Sequence, residues 1–212
     1  MTYQVKEIFA TRQGEGFHTG RPGVFLRFAG CNLWSGLERD RANAVCNFCD
    51  TDFVGLDGPG GGKYRTPQEL AQAVAKEWLN GQQGSERFVV ITGGEPLLQL
   101  DSGLIDALHD ESFVIALETN GTLRVPSGVD WICVSPKAGT TLIQREGNEL
   151  KLIYPQNGLD PDSFSGLNFE HFYLQPMDGA HLEHHTRLVI DYCRGSAIWN
   201  VSIQSHKYLG IP

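Results

Sequence analysis

Three cysteines carry the chemistry this chain can do. Cys46 and Cys49 form a C-x2-C pair, and fourteen residues separate Cys31 from it. Thiolates suit soft centres: zinc, copper(I) or an iron–sulfur cluster. Clusters are held by cysteine sulfur, and four ligands saturate a cubane. Three ligands from one loop therefore leave one position for a cofactor or substrate, and that open position is the working hypothesis. The flanking residues are polar and glycine-bearing. Gln13-Gly14-Glu15-Gly16, Gly93-Gly94-Glu95-Pro96 and Glu118-Thr119-Asn120-Gly121 are segments where backbone can approach a ligand closely. Arg27 interrupts the apolar run Val24–Ala29. A buried cation is retained only with an anionic partner, so Arg27 reads as a clamp for a carboxylate.

Composition bounds the setting. The chain has 212 residues, of which 41% are hydrophobic, enough for a sizeable core in one domain spanning 1–212. The net charge of −8 disfavours general binding to a phosphate backbone, so no nucleic acid is expected. No apolar run approaches a membrane span, and no signal peptide is visible, so the expected location is cytoplasmic. Five cysteines in a reducing compartment point to metal or redox chemistry rather than a structural bridge.

These residues must be positioned by strands. Tyr3–Phe9 alternates, and Val24–Ala29, Phe88–Thr92, Phe113–Glu118, Trp131–Val134, Leu150–Tyr154, Phe172–Leu174 and Ile198–Ile203 are short apolar runs. Thr66-Pro67-Gln68-Glu69 opens a helix with a capping box, and Leu70, Val74 and Trp78 share its buried face; Gly81 and Gly84 end it. Residues 101–109 and 181–193 read as two more helices. Thr11–Gly16 reads as a loop, Gly58–Gly62 as a flexible turn, and residues 35–45 as a charged insertion in the cysteine loop. Strands alternating with helices or long loops imply parallel crossovers. Polar residues recur at the carboxyl ends of the strands, where α/β sheets bind ligands. The strands are too few for an eight-fold barrel, so an incomplete barrel is expected.

Taken together, Gln13–Gly16, Phe25–Leu33, Cys49-Asp50-Thr51, Thr92–Pro96 and Glu118–Gly121 resemble the radical S-adenosylmethionine (SAM) enzymes over nearly the whole chain. Within them, the likeness is to the branch that makes the deazapurine core of queuosine precursors. One departure stands out. The superfamily spacing is C-x3-C-x2-C, whereas here the first gap is eleven residues longer and Ser35 stands where the second cysteine would be.

The resemblance implies an incomplete TIM-type (β/α)6 barrel with reduced helices. It implies a [4Fe-4S] cluster on Cys31, Cys46 and Cys49, whose open iron is chelated by SAM. Reductive cleavage of SAM would give a 5′-deoxyadenosyl radical. That radical would take hydrogen from 6-carboxy-5,6,7,8-tetrahydropterin, which would contract, lose ammonia and give a carboxylated deazaguanine. The implied substrate contacts are Gln13, Gly14, Glu15, Arg27, Thr92 and Pro212. Those for SAM are Phe48, Cys49, Asp50, Gly93, Gly94, Glu95, Glu118, Ser135, Pro136, Lys137, Gln175 and Asp178. Thr51 is implied as a magnesium ligand, with an electron donor such as flavodoxin or ferredoxin and a homodimer as the assembly.

Blander readings stand beside these. The Gln13–Gly16 stretch and the glycine pair are also ordinary turns, Pro212 an ordinary terminus, and Ser135, Lys137 and Gln175 solvated loop residues. Cys133 and Cys193 read as packing residues, and His181, His184 and His185 as an exposed helix face. Three rival functions use the same cysteines: a non-catalytic zinc module, an activating enzyme for a glycyl-radical protein, and thiol exchange at Cys46/Cys49.

Overall fold

The computed structural model describes residues 2–81 and 86–212. Gly84, expected to help end the first helix, lies outside the described residues. In chain order the elements are β1 (Tyr3–Arg12), β2 (Pro22–Phe28), β3 (Gly62–Tyr64), α1 (Pro67–Gly81), β4 (Phe88–Gly93), α2 (Ser102–Asp110), β5 (Val114–Thr119), β6 (Trp131–Val134), β7 (Glu146–Tyr154), β8 (Asn168–Pro176), α3 (Leu182–Gly195), β9 (Trp199–Val201) and α4 (Ser205–Leu209). Among the described residues all nine strands join one open sheet in the order β3-β1-β2-β4-β5-β6-β7-β8-β9. From β2 to β9 every neighbouring pair is parallel, while β1 runs antiparallel to both β2 and β3. The expected incomplete barrel with reduced helices is what forms.

The apolar runs explain the sheet. Phe88, Val89, Val90 and Ile91 of β4 are all fully buried, as parallel strands covered on both faces must be. Helices α1 and α2 cover the first half. Leu70, Val74 and Trp78 of α1 join a core that includes Leu104, Ile105 and Leu108 of α2. Half of the α1 capping box forms as read: Glu69 N donates to Thr66 Oγ1 at 3.1 Å, while the Glu69 carboxylate reaches one residue past the cap and accepts from Arg65 N at 2.8 Å. A second core lies under α3, with Leu150, Leu152, Leu174, Val189 and Trp199. No helix separates β5 from β6 or β6 from β7 among the described residues.

Side-chain alternation then fixes what faces the concave side. In β2, Val24, Leu26 and Phe28 enter the core and Phe25 and Arg27 face a cavity. In β7, Leu150 and Leu152 enter the core and Lys151 and Ile153 face the same cavity.

The structure corrects several boundaries. Thr11 and Arg12, read as loop, continue β1, because that strand pairs with β2 down to Arg12–Pro22. Gly58–Gly62, read as a flexible turn, is held against β1: Ile8 N donates to Pro59 O at 2.6 Å and Gly58 N to Lys6 O at 3.1 Å. Gly62 then enters β3, a strand too short and too glycine-rich to show in the pattern. The insertion at 35–45 contains a 3-10 turn over Glu38–Asn43. Gln175 and Pro176, expected past the end of a strand, are the last residues of β8. The final strand is shorter than read, and α4 follows where an ordinary tail was expected.

Candidate active site

A cavity of about 350 Å³ opens at the carboxyl edge of the parallel strands, within the range of small-molecule sites. The loop after β1 closes it from the opposite end. Gln13 N donates to Arg21 O and Gly20 N to Gln13 O, so the loop folds back on itself. Phe17 stacks on Trp131 and His171, with ring centroids 4.8 and 4.3 Å away. His18 sits edge-on to Phe88, and burial first, then Arg21 and His171, pulls its pKa down to about 4. This apolar stopper leaves Gln13, Gly14 and Glu15 lining the cavity.

The cysteine loop follows β2. Cys46, Phe48, Cys49, Asp50 and Thr51 line the cavity. Cys31 stands just outside the lining, against Gly94: a Cβ built on Gly94 would meet Cys31 Cβ at 2.7 Å and Gly30 O at 2.2 Å. A Cβ on Gly93 would meet Phe28 O at 2.4 Å, and Gly93 has φ +145°. Both glycines therefore let the end of β4 lie flat on the start of the cysteine loop, and both remain open to the cavity. Glu95 N completes the contact by donating to Gly30 O at 3.0 Å. Across the loop, Asn120 Nδ2 donates to Asn32 Oδ1 at 3.0 Å, and Asn32 Nδ2 to Thr122 Oγ1 at 2.8 Å.

The three thiols feel one another. The neighbouring Cys46 thiol lowers Cys49 to about 6, and Cys49 with burial holds Cys46 well above the usual thiol range. Burial raises Cys31. This donor set fits a cubane with one iron left without protein sulfur. Among the described residues no three His, Cys, Asp or Glu form a group that could hold a single metal ion. A cluster, whose thiolates each bind a different iron, asks for a wider set. Cys133 also lines the cavity, but it lies inside β6 and burial raises it well above the usual thiol range.

A chain of charges lines the wall. Lys151 Nζ lies 2.5 Å from Glu15 Oε2 and 3.3 Å from Glu118 Oε1. Glu118 also accepts from Gln13 Nε2 at 2.9 Å, and Glu15 from Gln204 Nε2 at 2.9 Å. Burial pushes Glu15 up, but Lys151 and the bond from Gln204 outweigh it and hold the carboxyl below its usual range. Burial pulls Lys151 down, but Glu118 and Glu15 win and it stays firmly protonated. Arg27 Nε donates to Glu7 Oε1 at 2.7 Å, so its anionic partner within the fold is Glu7. Among the described residues its Nη groups have no hydrogen-bond partner, and the side chain lines the cavity.

Most other expected contacts converge here. Thr92, Ser135, Lys137, Gln175, Asp178 and Pro212 line the cavity. Lys137 Nζ donates to Ser135 O and Oγ at 2.7 and 2.6 Å, and Gln175 accepts from Ser202 Oγ at 2.8 Å. Glu95 and Pro136 do not line the cavity. Glu95 is fully buried and accepts from Thr119 Oγ1, Asn120 N and Leu97 N, so it ties two strand ends together.

Several lining residues went unread in the sequence. Lys151 carries the same signal as Arg27, a charge inside an apolar strand. Glu7, Gln204, His206 and Lys207 carry no signal, because their partners are remote. Ser205 N donates to Gly14 O, Lys207 pairs with Asp50 and Asp178, and Thr11 Oγ1 donates to Pro212 O at 2.7 Å. These bonds draw α4 and the tail across the cavity mouth.

No protein-family model matches the chain. Whole-length relatives do. The 7-carboxy-7-deazaguanine synthase of Caulobacter vibrioides is 58% identical over 212 residues, covering all of both chains. That of Bradyrhizobium diazoefficiens is 58% identical over 211 residues, again covering all of both. The crystal structure of QueE from Escherichia coli superposes with a TM-score of 0.69 at 26% identity, covering 97% of this chain and 95% of that one. An open parallel sheet with few helices and a cysteine loop at its carboxyl edge makes this a radical SAM partial barrel. The chain belongs to the 7-carboxy-7-deazaguanine synthase family.

Proposed function

We infer that this chain converts 6-carboxy-5,6,7,8-tetrahydropterin to 7-carboxy-7-deazaguanine with loss of ammonia, in 7-deazapurine (queuosine) biosynthesis. The observation that carries the reading is the convergence of the cysteine loop and the Glu15–Lys151–Glu118 and Arg27 set on one small cavity. A cavity of that size takes a small molecule, not a glycyl-radical protein, and the whole-length relatives are synthases rather than zinc modules.

Cys31, Cys46 and Cys49 would hold the [4Fe-4S] cluster, which together with SAM would supply a carbon-centred radical able to abstract hydrogen. The chain's own residues bind, orient and keep water out. The backbone at Gly93 and Gly94 meets the amino-acid end of SAM, and Phe48, Asp50, Ser135, Lys137, Gln175 and Asp178 border the rest. Glu118, which lines the cavity, borders SAM as well, and Lys151 ties it to Glu15 on the substrate side. Gln13, Gly14, Glu15 and Thr92 read the donor–acceptor edge of the pterin. Each carboxylate keeps lone pairs beyond those used by Lys151, Gln13 and Gln204, so a protein donor and a ligand donor can share it. Arg27 offers its Nη groups to the substrate carboxylate, and Pro212, held by Thr11, borders the substrate as well. The stopper of Phe17, Trp131 and His171 seals the end away from the mouth.

Anaerobic incubation with SAM, a reductant and the carboxy-tetrahydropterin tests the reading by mass analysis. Formation of 5′-deoxyadenosine together with the ring-contracted product is expected. Cofactor cleavage without the product would assign the radical chemistry to another substrate.

Magnesium joins this site through Thr51. The ion is content with one or two protein oxygens, water and substrate oxygens completing its octahedron. Thr51 lines the cavity next to the cysteine pair, where its hydroxyl would be one such oxygen. Thr51→Ala is expected to lose the magnesium stimulation of turnover while iron content and SAM binding hold. An unchanged magnesium dependence would place the ion elsewhere. The reaction runs in the cytoplasm, with a flavodoxin- or ferredoxin-type donor and a homodimeric enzyme. No helix among the described residues is long and apolar enough to cross a membrane.

A further inference from the structure

The eleven extra residues of the cysteine loop do more than lengthen it. Their 3-10 turn presents Arg41, whose Nη1 donates to Asn47 O at 3.1 Å and to Cys49 O at 3.0 Å. Those carbonyls belong to the Cys46–Cys49 turn itself, and among the described residues no other group donates to either. Arg41 is held on two further sides. Its Nε donates to Glu38 Oε2 at 2.7 Å, and its guanidinium lies 4.1 Å from the centre of the Trp34 ring. Trp34 is anchored in turn, edge-on to Phe53 with ring centroids 5.6 Å apart and its Nε1 donating to Leu37 O at 3.3 Å. The turn is pinned at its base by Ser35 Oγ on Asp40 at 2.6 Å. Ser35, where the superfamily has a ligand, thus serves the turn that carries Arg41.

We propose that Arg41 is a positioning residue for the metal centre: a splint from the insertion that fixes the two carbonyls of the C-x2-C turn and so holds Cys46 and Cys49 in their ligating conformation. Only a planar, multi-donor cation can bond both carbonyls, Glu38 and an aromatic face at once. The exposed Glu38 beside it offsets much of its charge, so the effect is on conformation rather than on the charge at the thiolates. An unsplinted turn of this composition, Cys46-Asn47-Phe48-Cys49, would spread over other conformers, and each cycle of iron loss would compete with refolding of the loop.

The inference rests on the cluster reading, and its test separates the two. Iron content after anaerobic reconstitution, and the rate of iron release to a chelator, are compared for the unchanged chain, Arg41→Ala and Arg41→Lys. Hydrogen exchange of the Cys46–Asp50 amides is followed in the metal-free proteins. Iron release about tenfold faster or more is expected for Arg41→Ala, from two lost charge-assisted bonds. Arg41→Lys, which keeps the charge but not the fork, should restore only part of the retention. Faster exchange confined to Cys46–Asp50, with an unchanged melting temperature of the metal-free protein, is expected alongside. Equal iron retention in Arg41→Ala overturns the splint and leaves the cluster reading standing. Equal losses from a protein that melts earlier as a whole also overturn it, since Arg41 is then merely structural. Failure of the unchanged chain to take up iron overturns both.

Discussion

Replacing Lys151 by methionine is expected to abolish detectable turnover and to lower the melting temperature by on the order of 10 °C. Methionine preserves the length and the apolar stem, so packing in β7 changes little. The charge is what goes. Lys151 is 5% exposed as a side chain and bridges Glu15 and Glu118, themselves 16% and 23% exposed. Removing one partner of a buried ion pair costs about 3–5 kcal/mol, because the other charges stay behind without compensation. For a chain of this length each kcal/mol moves the midpoint by about 2–4 °C.

The dependence on pH identifies the cause. With Lys151 present, Glu15 has a depressed pKa, so its contribution to stability is full above the usual glutamate range and fades as pH falls through the folded value. Without Lys151, burial and the nearby Asp50 outweigh the remaining bond from Gln204, the folded pKa of Glu15 rises, and protonation relieves the variant at low pH. The gap in melting temperature between the two proteins should therefore narrow below about pH 5, where a carboxyl of ordinary pKa begins to protonate. Thermal melts across pH check this; a gap of constant size would mean that lost packing, not stranded charge, destabilises the variant.

Arg27→Ala is expected to weaken binding of the carboxy-tetrahydropterin by roughly 30- to 1000-fold, about 2–4 kcal/mol for losing a desolvated charge pair. SAM binding should change by less than a few fold, since its expected contacts lie at the ends of β4, β5, β6 and β8 and on the cysteine loop. The geometry supports this division: the Nε of Arg27 is spent on Glu7 while its Nη groups face the cavity. Arg27→Lys should recover part of the affinity through charge, yet not all, because an ammonium cannot grip a carboxylate bidentately. Titrations of each ligand separately decide the matter. Equal losses for both ligands would make Arg27 a structural partner of Glu7.

Local chemistry was legible in the residues, and remote pairing was not. The cysteine loop, the apolar strands, the capping box at Thr66 and the charge inside β2 each declare themselves within a few positions. Glu95 sits in a motif that reads as a ligand contact, yet its side chain turns inward to tie Asn120 and Thr119 to the end of β4. A carboxylate beside glycines looks alike in either role until its donors, 24 and 25 residues away, are known. Lys151 shares the signature of Arg27 but has no cysteine nearby to draw attention to it. The segment at 204–207 has no periodicity to read, because a five-residue helix offers barely more than one turn.

The span of a few contacts sets the order in which this enzyme becomes competent. Bonds that gather the mouth of the cavity link positions about as far apart along the chain as its length permits: Gly16 to Ser202, Glu15 to Gln204, Gly14 to Ser205 and Thr11 to Pro212. Closing loops of that span carries the largest entropic toll and comes late in folding. Before residues 202–212 dock, the chain already has its sheet and its full set of thiols, but an unfinished rim. The thiols are gathered first, and the chamber is sealed only when that segment closes over it.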